Sequence, residues 1–367
     1  MSIVIQELYV HHFKCLQNFR LVLKEKSFSL LLGKNGVGKT TVASALEIFQ
    51  KIGRGVNRIS QLIYPSDFTH HNTTLPMRFT LEILLGEKYY KYNIAFELPD
   101  GFSEARILEE ELWLNENVLY LRKNAEVTLY RGNKEANFLV DWHLVALPII
   151  QSEFSQQFQS WLASILILSP IPPLMTGNVS KSTLYPNRHV DNFGEWLTGL
   201  LIHYPASYTL IDRYIKQVIP DFYDLQNEQI GKNARNINIQ FGHDKSDFSI
   251  DFDQLSDGEK CFFLCAAVLA MNKNMESLFC FWDEPDNYLS ISEIQHFIIE
   301  LQRNFKAKGQ LLIASHHTQT IETFPQEHII LLDRKSHLEP TLWKWLNEVS
   351  DKPKDLISAL ILNELEL

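Results

Sequence analysis

Cysteine is scarce in this chain: four residues in 367, at positions 15, 261, 265 and 280. They show no paired zinc-ligand spacing, and Cys261 and Cys265 fall one turn apart in a strongly apolar helical pattern, which reads as buried packing. That usage fits a reducing compartment. Long apolar runs are missing too. No stretch approaches the roughly eighteen residues of a membrane helix, and residues 1–10 read as a strand, not as a charged-then-apolar leader. A soluble, cytoplasmic chain without a membrane partner is therefore expected. Positive charge is also in deficit, with 34 Lys and Arg against 44 Asp and Glu and a net charge of −10. This argues against a surface that coats nucleic acid throughout, because neutralising phosphates needs clustered cations. A local basic groove stays open as a reading, at Lys51, Arg54 and Arg58 or, more weakly, at Lys232 and Arg235, although such clusters are more often solvated faces. Internal repeats, low-complexity tracts and extended heptads are absent, which excludes a long coiled-coil arm.

What is present has the apolar content of an ordinary globular protein, enough for one large α/β domain or two smaller ones. Alternating segments at 3–10, 77–84, 89–98, 107–114 and 127–130, separated by Gly, Asp, Asn and Lys turns, predict an antiparallel meander. From about residue 141 the pattern turns helical, notably at 154–165 and 193–219, with a break at Pro170, Pro172 and Pro173. Strands return at 237–241 and 248–252, and strand and helix then alternate to about residue 332, the pattern of a parallel sheet with crossover helices. The expected organisation is an N-terminal α/β part over 1–131, a mostly helical insertion or lid over 132–236, and a C-terminal part of the same α/β domain over 237–367.

The most specific motif follows the apolar run 28–32. Gly33, Lys34, Asn35, Gly36, Val37, Gly38, Lys39, Thr40 and Thr41 have the composition and spacing of a phosphate-binding loop between a strand and a helix. Glycines let successive N–H groups curl around phosphates, and the helix start adds its positive dipole end. Lys39 is placed to reach the β and γ phosphates and the Thr40 hydroxyl to ligate Mg²⁺, so ATP or GTP is the expected ligand. The apolar strand at 278–282 delivers Asp283 and Glu284 at its carboxyl end, where Asp283 would hold Mg²⁺ and Glu284 would polarise the attacking water. A further strand at 310–315 ends in His316 and His317, and His316 is the choice for sensing the γ-phosphate. Ser256 precedes Asp257, Gly258 and Glu259 as a candidate helix cap; taken locally this reads as an ordinary N-cap with an acidic first turn, and the alternative is that the neighbouring N–H groups face an anion. Asp251 and Asp253 flank Phe252 and read as alternation around a buried ring.

In this order the motifs resemble those of ABC-type ATPase heads, closest to the soluble branch that includes SMC proteins, RecF and the OLD-family ATPases. The opening Leu8, Tyr9, Val10, His11, His12, Phe13 and Lys14 is similar to that branch's first strand and its Phe-Arg/Lys element. The resemblance implies a P-loop NTPase fold of α/β class, a mixed sheet with an antiparallel subdomain, and ATP with Mg²⁺ as cofactors. It also implies an ATP-sandwiched homodimer, in which Ser256 and Gly258 of one copy contact the γ-phosphate held by Gly36, Lys39 and Thr40 of the other, and leaves higher homo-oligomers open. Departures are visible: Asp257 stands where transporters commonly carry glycine, residues 286–290 match the family's D-loop loosely, and Gln61 is only a candidate for its Q-loop glutamine. OLD nucleases append a Toprim domain; after His316 only a strand at 328–332, a segment with Trp343 and a short final helix are expected. The resemblance therefore points to an ATP hydrolase that controls a separate effector, such as a nuclease or toxin in bacterial anti-phage defence. The alternative is a RecF- or SMC-like repair ATPase that binds DNA.

Overall fold

The computed structural model describes residues 4–132, 134–230, 234–243 and 246–349. Lys232 and the expected final helix lie outside the described residues. The described residues form two compact units, one from residues 4–165 and 325–349, the other from residues 166–324.

The first unit is built on an eight-stranded antiparallel sheet. Ile5–His11 lies between Phe19–Val22 and Met77–Leu85, and the meander continues through Lys88–Glu97, Arg106–Leu114, Asn117–Lys123, Glu126–Arg131 and Lys134–Leu139. Period-2 alternation sends Met77, Phe79, Leu81 and Ile83 to the covered face, and register sets Phe79 opposite Val10 and Ile94. Two helices cover that face. Lys39–Gly53 brings Phe49 edge-on to Phe79 and Tyr92, and Glu153–Ser164 brings Phe158 onto Tyr90 and Tyr92. The helices cross at Gly53, where a Cβ would sit 2.4 Å from the Ala163 nitrogen, so only glycine permits this approach. A second group of strands lies in the same unit: Phe28–Leu32 runs parallel to Ile329–Asp333, both wholly buried, and Leu342–Trp345 pairs antiparallel with the latter.

The predicted strands of the meander are all present, and three more join the sheet, Asn117–Lys123, Lys134–Leu139 and Phe19–Val22. The second is almost entirely exposed at the sheet edge, so it carries no apolar alternation to announce it. In the span 132–236 the helices Glu153–Ser164, Phe193–His203 and Ser207–Val218 share space with strands.

In the second unit Leu166–Leu168, Phe279–Asp283 and Gln310–Ala314 form a parallel set, with Ile167 opposite Phe281 and Phe281 opposite Leu312. Phe279–Asp283 and Gln310–Ala314 are connected through helix Ile291–Ala307, whose Phe297 meets Trp282 at 5.6 Å. A separate antiparallel sheet of Asn178–Val179, Ala234–His243, Phe222–Ile230 and Ser246–Asp251 packs through Phe222 against Phe263. Helix Asp257–Asn274 buries residues all round its circumference, as a helix inside a core must. Among the described residues no helix is long and apolar enough to cross a membrane.

Candidate functional site

The phosphate-loop candidates all lie in the first unit. The buried strand Phe28–Leu32 delivers the chain to Gly33, and the helix Lys39–Gly53 begins immediately after Gly38. Gly36 and Gly38 are left-handed, at φ 82° and 111°, a region open to glycine and costly for other residues. Gly33 is required for another reason: a Cβ there would fall 2.6 Å from the Leu332 carbonyl oxygen. The helix start carries no side-chain cap and no acid in its first turn, so its positive end is not neutralised locally. Lys39 is buried, and its Nζ donates to the Gly33 carbonyl at 2.6 Å and to the Lys34 carbonyl at 3.2 Å. A buried ammonium gains most from a full negative charge, and a phosphate supplies it. Lys34, Asn35, Gly36 and Thr40 are exposed, Val37 is buried, and Thr41 is partly covered. Left-handed glycines, an uncapped helix start and the buried Lys39 cation make a set of donors suited to a nucleotide's phosphates, with the exposed Thr40 beside it as the residue that would hold Mg²⁺.

Behind the loop stand residues that sequence reasoning did not connect to it. The Thr341 hydroxyl donates to the Val37 carbonyl at 2.7 Å, its backbone N–H donates to the Cys15 carbonyl at 3.0 Å, and the Cys15 thiol donates to Thr41 Oγ1 at 3.5 Å.

The second unit brings together Glu284 and His316. Strand Phe279–Asp283 ends beside Ala314, and the Glu284 N–H donates to the Ala314 carbonyl at 2.7 Å. His316 Nδ1 lies 3.1 Å from Glu284 Oε1, and the Asn287 amide donates to Glu284 Oε2. Glu284 is held at φ 50°, a strained conformation of the kind that persists where the surroundings impose it and function uses it. Asp286, 2% exposed, accepts the hydroxyls of Ser315 and Thr320, locking the turn after Glu284 to the segment that carries His316. His317, the alternative histidine, instead donates its backbone N–H to Ser315 Oγ at 3.0 Å. Asn287 and Asp286 belong to the loosely matching D-loop run, so motif position alone concealed their contacts.

Ser256 caps helix Asp257–Asn274 in a reciprocal box: its Oγ accepts the Glu259 N–H at 3.3 Å and Glu259 Oε2 accepts the Ser256 N–H at 2.8 Å. Gly258 approaches the Tyr288 carbonyl closely, with a Cβ falling 3.2 Å away. Asp283 ends its strand partly covered.

Other candidates take structural partners. Phe252 is fully buried, Asp253 accepts the Gly177 N–H at 2.6 Å and Asp251 accepts the Asn236 amide at 2.7 Å. In the basic cluster Lys51 pairs with Glu47, Arg58 with Glu104, and Arg54 donates to the Ala163 carbonyl. Gln61 is exposed in the short 3₁₀ turn Ile59–Gln61. All four cysteines are buried as free thiols, and burial pushes Cys261 up to about 12.

Residues 4–141 match a family model described as an AAA ATPase domain. No curated protein matches the chain. Among solved structures it is similar to a Smc head bound to the C-winged helix domain of ScpA, at 15% identity and a TM-score of 0.57, over 94% of this chain and 98% of that one. It is also similar to the Smc head domain with an extended coiled coil bound to the C-terminal domain of ScpA from Pyrococcus furiosus, at 13% identity and a TM-score of 0.55, over 98% of both chains. With the loop geometry of residues 33–41, the domain match and the shared head fold, the chain is a P-loop ATPase.

Proposed function

We propose that this ATPase binds ATP with Mg²⁺ through Gly33, Asn35, Gly36, Val37, Gly38, Lys39, Thr40 and Thr41, and hydrolyses it with Asp283, Glu284 and His316. The observation that carries the reading is the Glu284–His316 contact of 3.1 Å at a backbone position held at φ 50°. Glu284 orients and polarises the attacking water, and His316 steadies that carboxylate and reads the γ-phosphate. Thr40 and, as the motif order implies, Asp283 would hold Mg²⁺, which when bound would supply charge neutralisation for the departing phosphates.

The dimer reading gives Ser256 and Gly258 of one copy to the γ-phosphate of another, which makes ATP the adhesive between two copies that each carry a net charge of −10. Such a dimer would gate a separate protein effector, a nuclease or toxin in bacterial defence, and the Smc heads bound to ScpA domains are a precedent for a head that engages a protein partner. The similarity to Smc heads over nearly the whole chain also supports a second reading, a DNA-binding repair ATPase. Turnover stimulated by duplex DNA and abolished steeply by salt would favour the second reading.

Subunit mixing tests the shared site. Lys39→Ala and Ser256→Arg variants, each inactive alone, should regain part of the parental turnover when mixed, because one intact composite site forms per mixed dimer. Failure to recover despite demonstrated subunit exchange refutes the sandwich.

A further inference from the structure

The phosphate loop is shaped from behind by a segment at the far end of the described chain. Thr341 is 2% exposed and is fixed on both sides: its N–H on the Cys15 carbonyl at 3.0 Å, its hydroxyl on the Val37 carbonyl at 2.7 Å. It also crowds the next residue, since a Cβ on Gly38 would lie 2.9 Å from Thr341 Oγ1 and 3.0 Å from Cys15 Sγ. The turn leading to it is itself tied down, with Arg334 donating to the carbonyls of Glu339 and His337. A rigid donor therefore meets one particular carbonyl of the loop.

A trans peptide is planar, with its C=O and N–H pointing in opposite directions. Holding the Val37 carbonyl on Thr341 thus turns the N–H of Gly38 to the other side of the same plane. The Gly38 carbonyl is separately engaged, accepting the N–H groups of Thr41 and Val42 at 3.0 Å each, so both peptides flanking Gly38 are fixed.

We infer that Thr341 is a positioning residue for the nucleotide: its hydroxyl withdraws the Val37 carbonyl from the anion site and aims the Gly38 N–H at a phosphate oxygen. The inference rests on the ATP-site reading above. Without the hydroxyl, the Val37 carbonyl loses its buried donor, and the peptide is free to rotate and set a carbonyl oxygen against the phosphates. The energy of one buried hydrogen bond with its desolvation corresponds to roughly a tenfold loss of affinity.

The test compares Thr341→Val, which keeps the shape and removes the hydroxyl, with Thr341→Ser, which keeps the hydroxyl. ATP affinity is read by calorimetry with Mg²⁺ present, and turnover is read as kcat and KM separately. Thr341→Val should weaken binding and raise KM by roughly tenfold, with kcat changed by less than about threefold, while Thr341→Ser stays within about twofold of the parental KM. Parental affinity in the valine variant overturns the inference. So does a tenfold loss in the serine variant, which settles the matter even where the valine variant does not fold. Absence of ATP binding in the parental protein overturns the site reading together with this inference, whereas parental binding with unaffected variants overturns this inference alone.

Discussion

Glu284 is the residue where local strain and proposed chemistry coincide, and replacing it separates the two. An L-residue in the left-handed region carries a penalty of about 1–2 kcal/mol from its Cβ, and Glu284 sits there at φ 50° with its N–H bound to the Ala314 carbonyl. Glu284→Ala removes the contacts to His316 and Asn287 but keeps the Cβ. Glu284→Gly removes both. Glycine adds about 0.4–1 kcal/mol of unfolded-state entropy, so the net expectation is that the glycine variant exceeds the alanine variant by about 0.5–1 kcal/mol. At an unstrained helical position the order is reversed, with glycine the weaker by a similar amount. The comparison therefore turns on a sign, not on a small magnitude. The assay is equilibrium urea unfolding of the nucleotide-free variants, followed by tryptophan fluorescence, because Trp282 is fully buried two residues before the substitution. An alanine variant as stable as the glycine variant, or more so, refutes the claim that this backbone is strained. Both variants should also lose about 10²–10⁴ in turnover. The strained residue would then persist because hydrolysis needs its carboxylate where relaxed backbone would not place it.

Two further expectations concern the scaffold. In the first unit Glu110 is wholly buried, accepting the Tyr92 and Tyr120 hydroxyls and the N–H groups of Ala146 and Leu147, and facing Arg122 at 3.5 Å. Glu110→Gln leaves the Arg122 charge buried without its counterion and should destabilise by about 3–5 kcal/mol in urea unfolding; a loss below about 1 kcal/mol would show that the carboxylate is not the network's organiser. In the second unit burial raises Cys261 to about 12 and pushes Cys265 and Cys280 upward as well. Because the folded thiols stay protonated while unfolded ones ionise near 9, their contribution is complete below about pH 8 and is withdrawn as pH rises toward the folded values. Urea midpoints should therefore fall from pH 8 to 10, and the fall should shrink when Cys261 is replaced by alanine; an identical pH slope in that variant contradicts the assignment.

Legibility in the sequence followed the range of the interaction. The phosphate loop was readable because its donors are consecutive: strand, glycines, Lys39 and helix occupy one stretch whose composition is dictated by a single ligand. Asp283, Glu284 and His316 were readable as strand ends, since apolar runs such as Phe279–Asp283 and Gln310–Ala314 stop where polar chemistry starts. The strain at Glu284 was not, because a positive φ leaves no trace when the residue is not glycine. Lys134–Leu139 escaped for want of a buried face. Thr341 escaped because its hydroxyl meets a carbonyl 304 residues away, and no period or motif links a side chain to so distant a backbone group.

The three glycines of the loop carry the same letter for different physical reasons. Gly36 has open space where a Cβ would go but a φ of 82°, so its backbone conformation alone demands glycine. Gly33 has no positive φ to explain it, and the Leu332 carbonyl 2.6 Å from a Cβ does. Gly38 has both, with φ 111° and Thr341 Oγ1 at 2.9 Å. Two of the three requirements are thus set by strand Ile329–Asp333 and the turn that follows it, not by a phosphate. A loop whose shape depended on the ligand alone would need glycine only where the backbone must turn. The additional close contacts mean that the cradle is formed before the nucleotide arrives, so binding need not supply the free energy of ordering it.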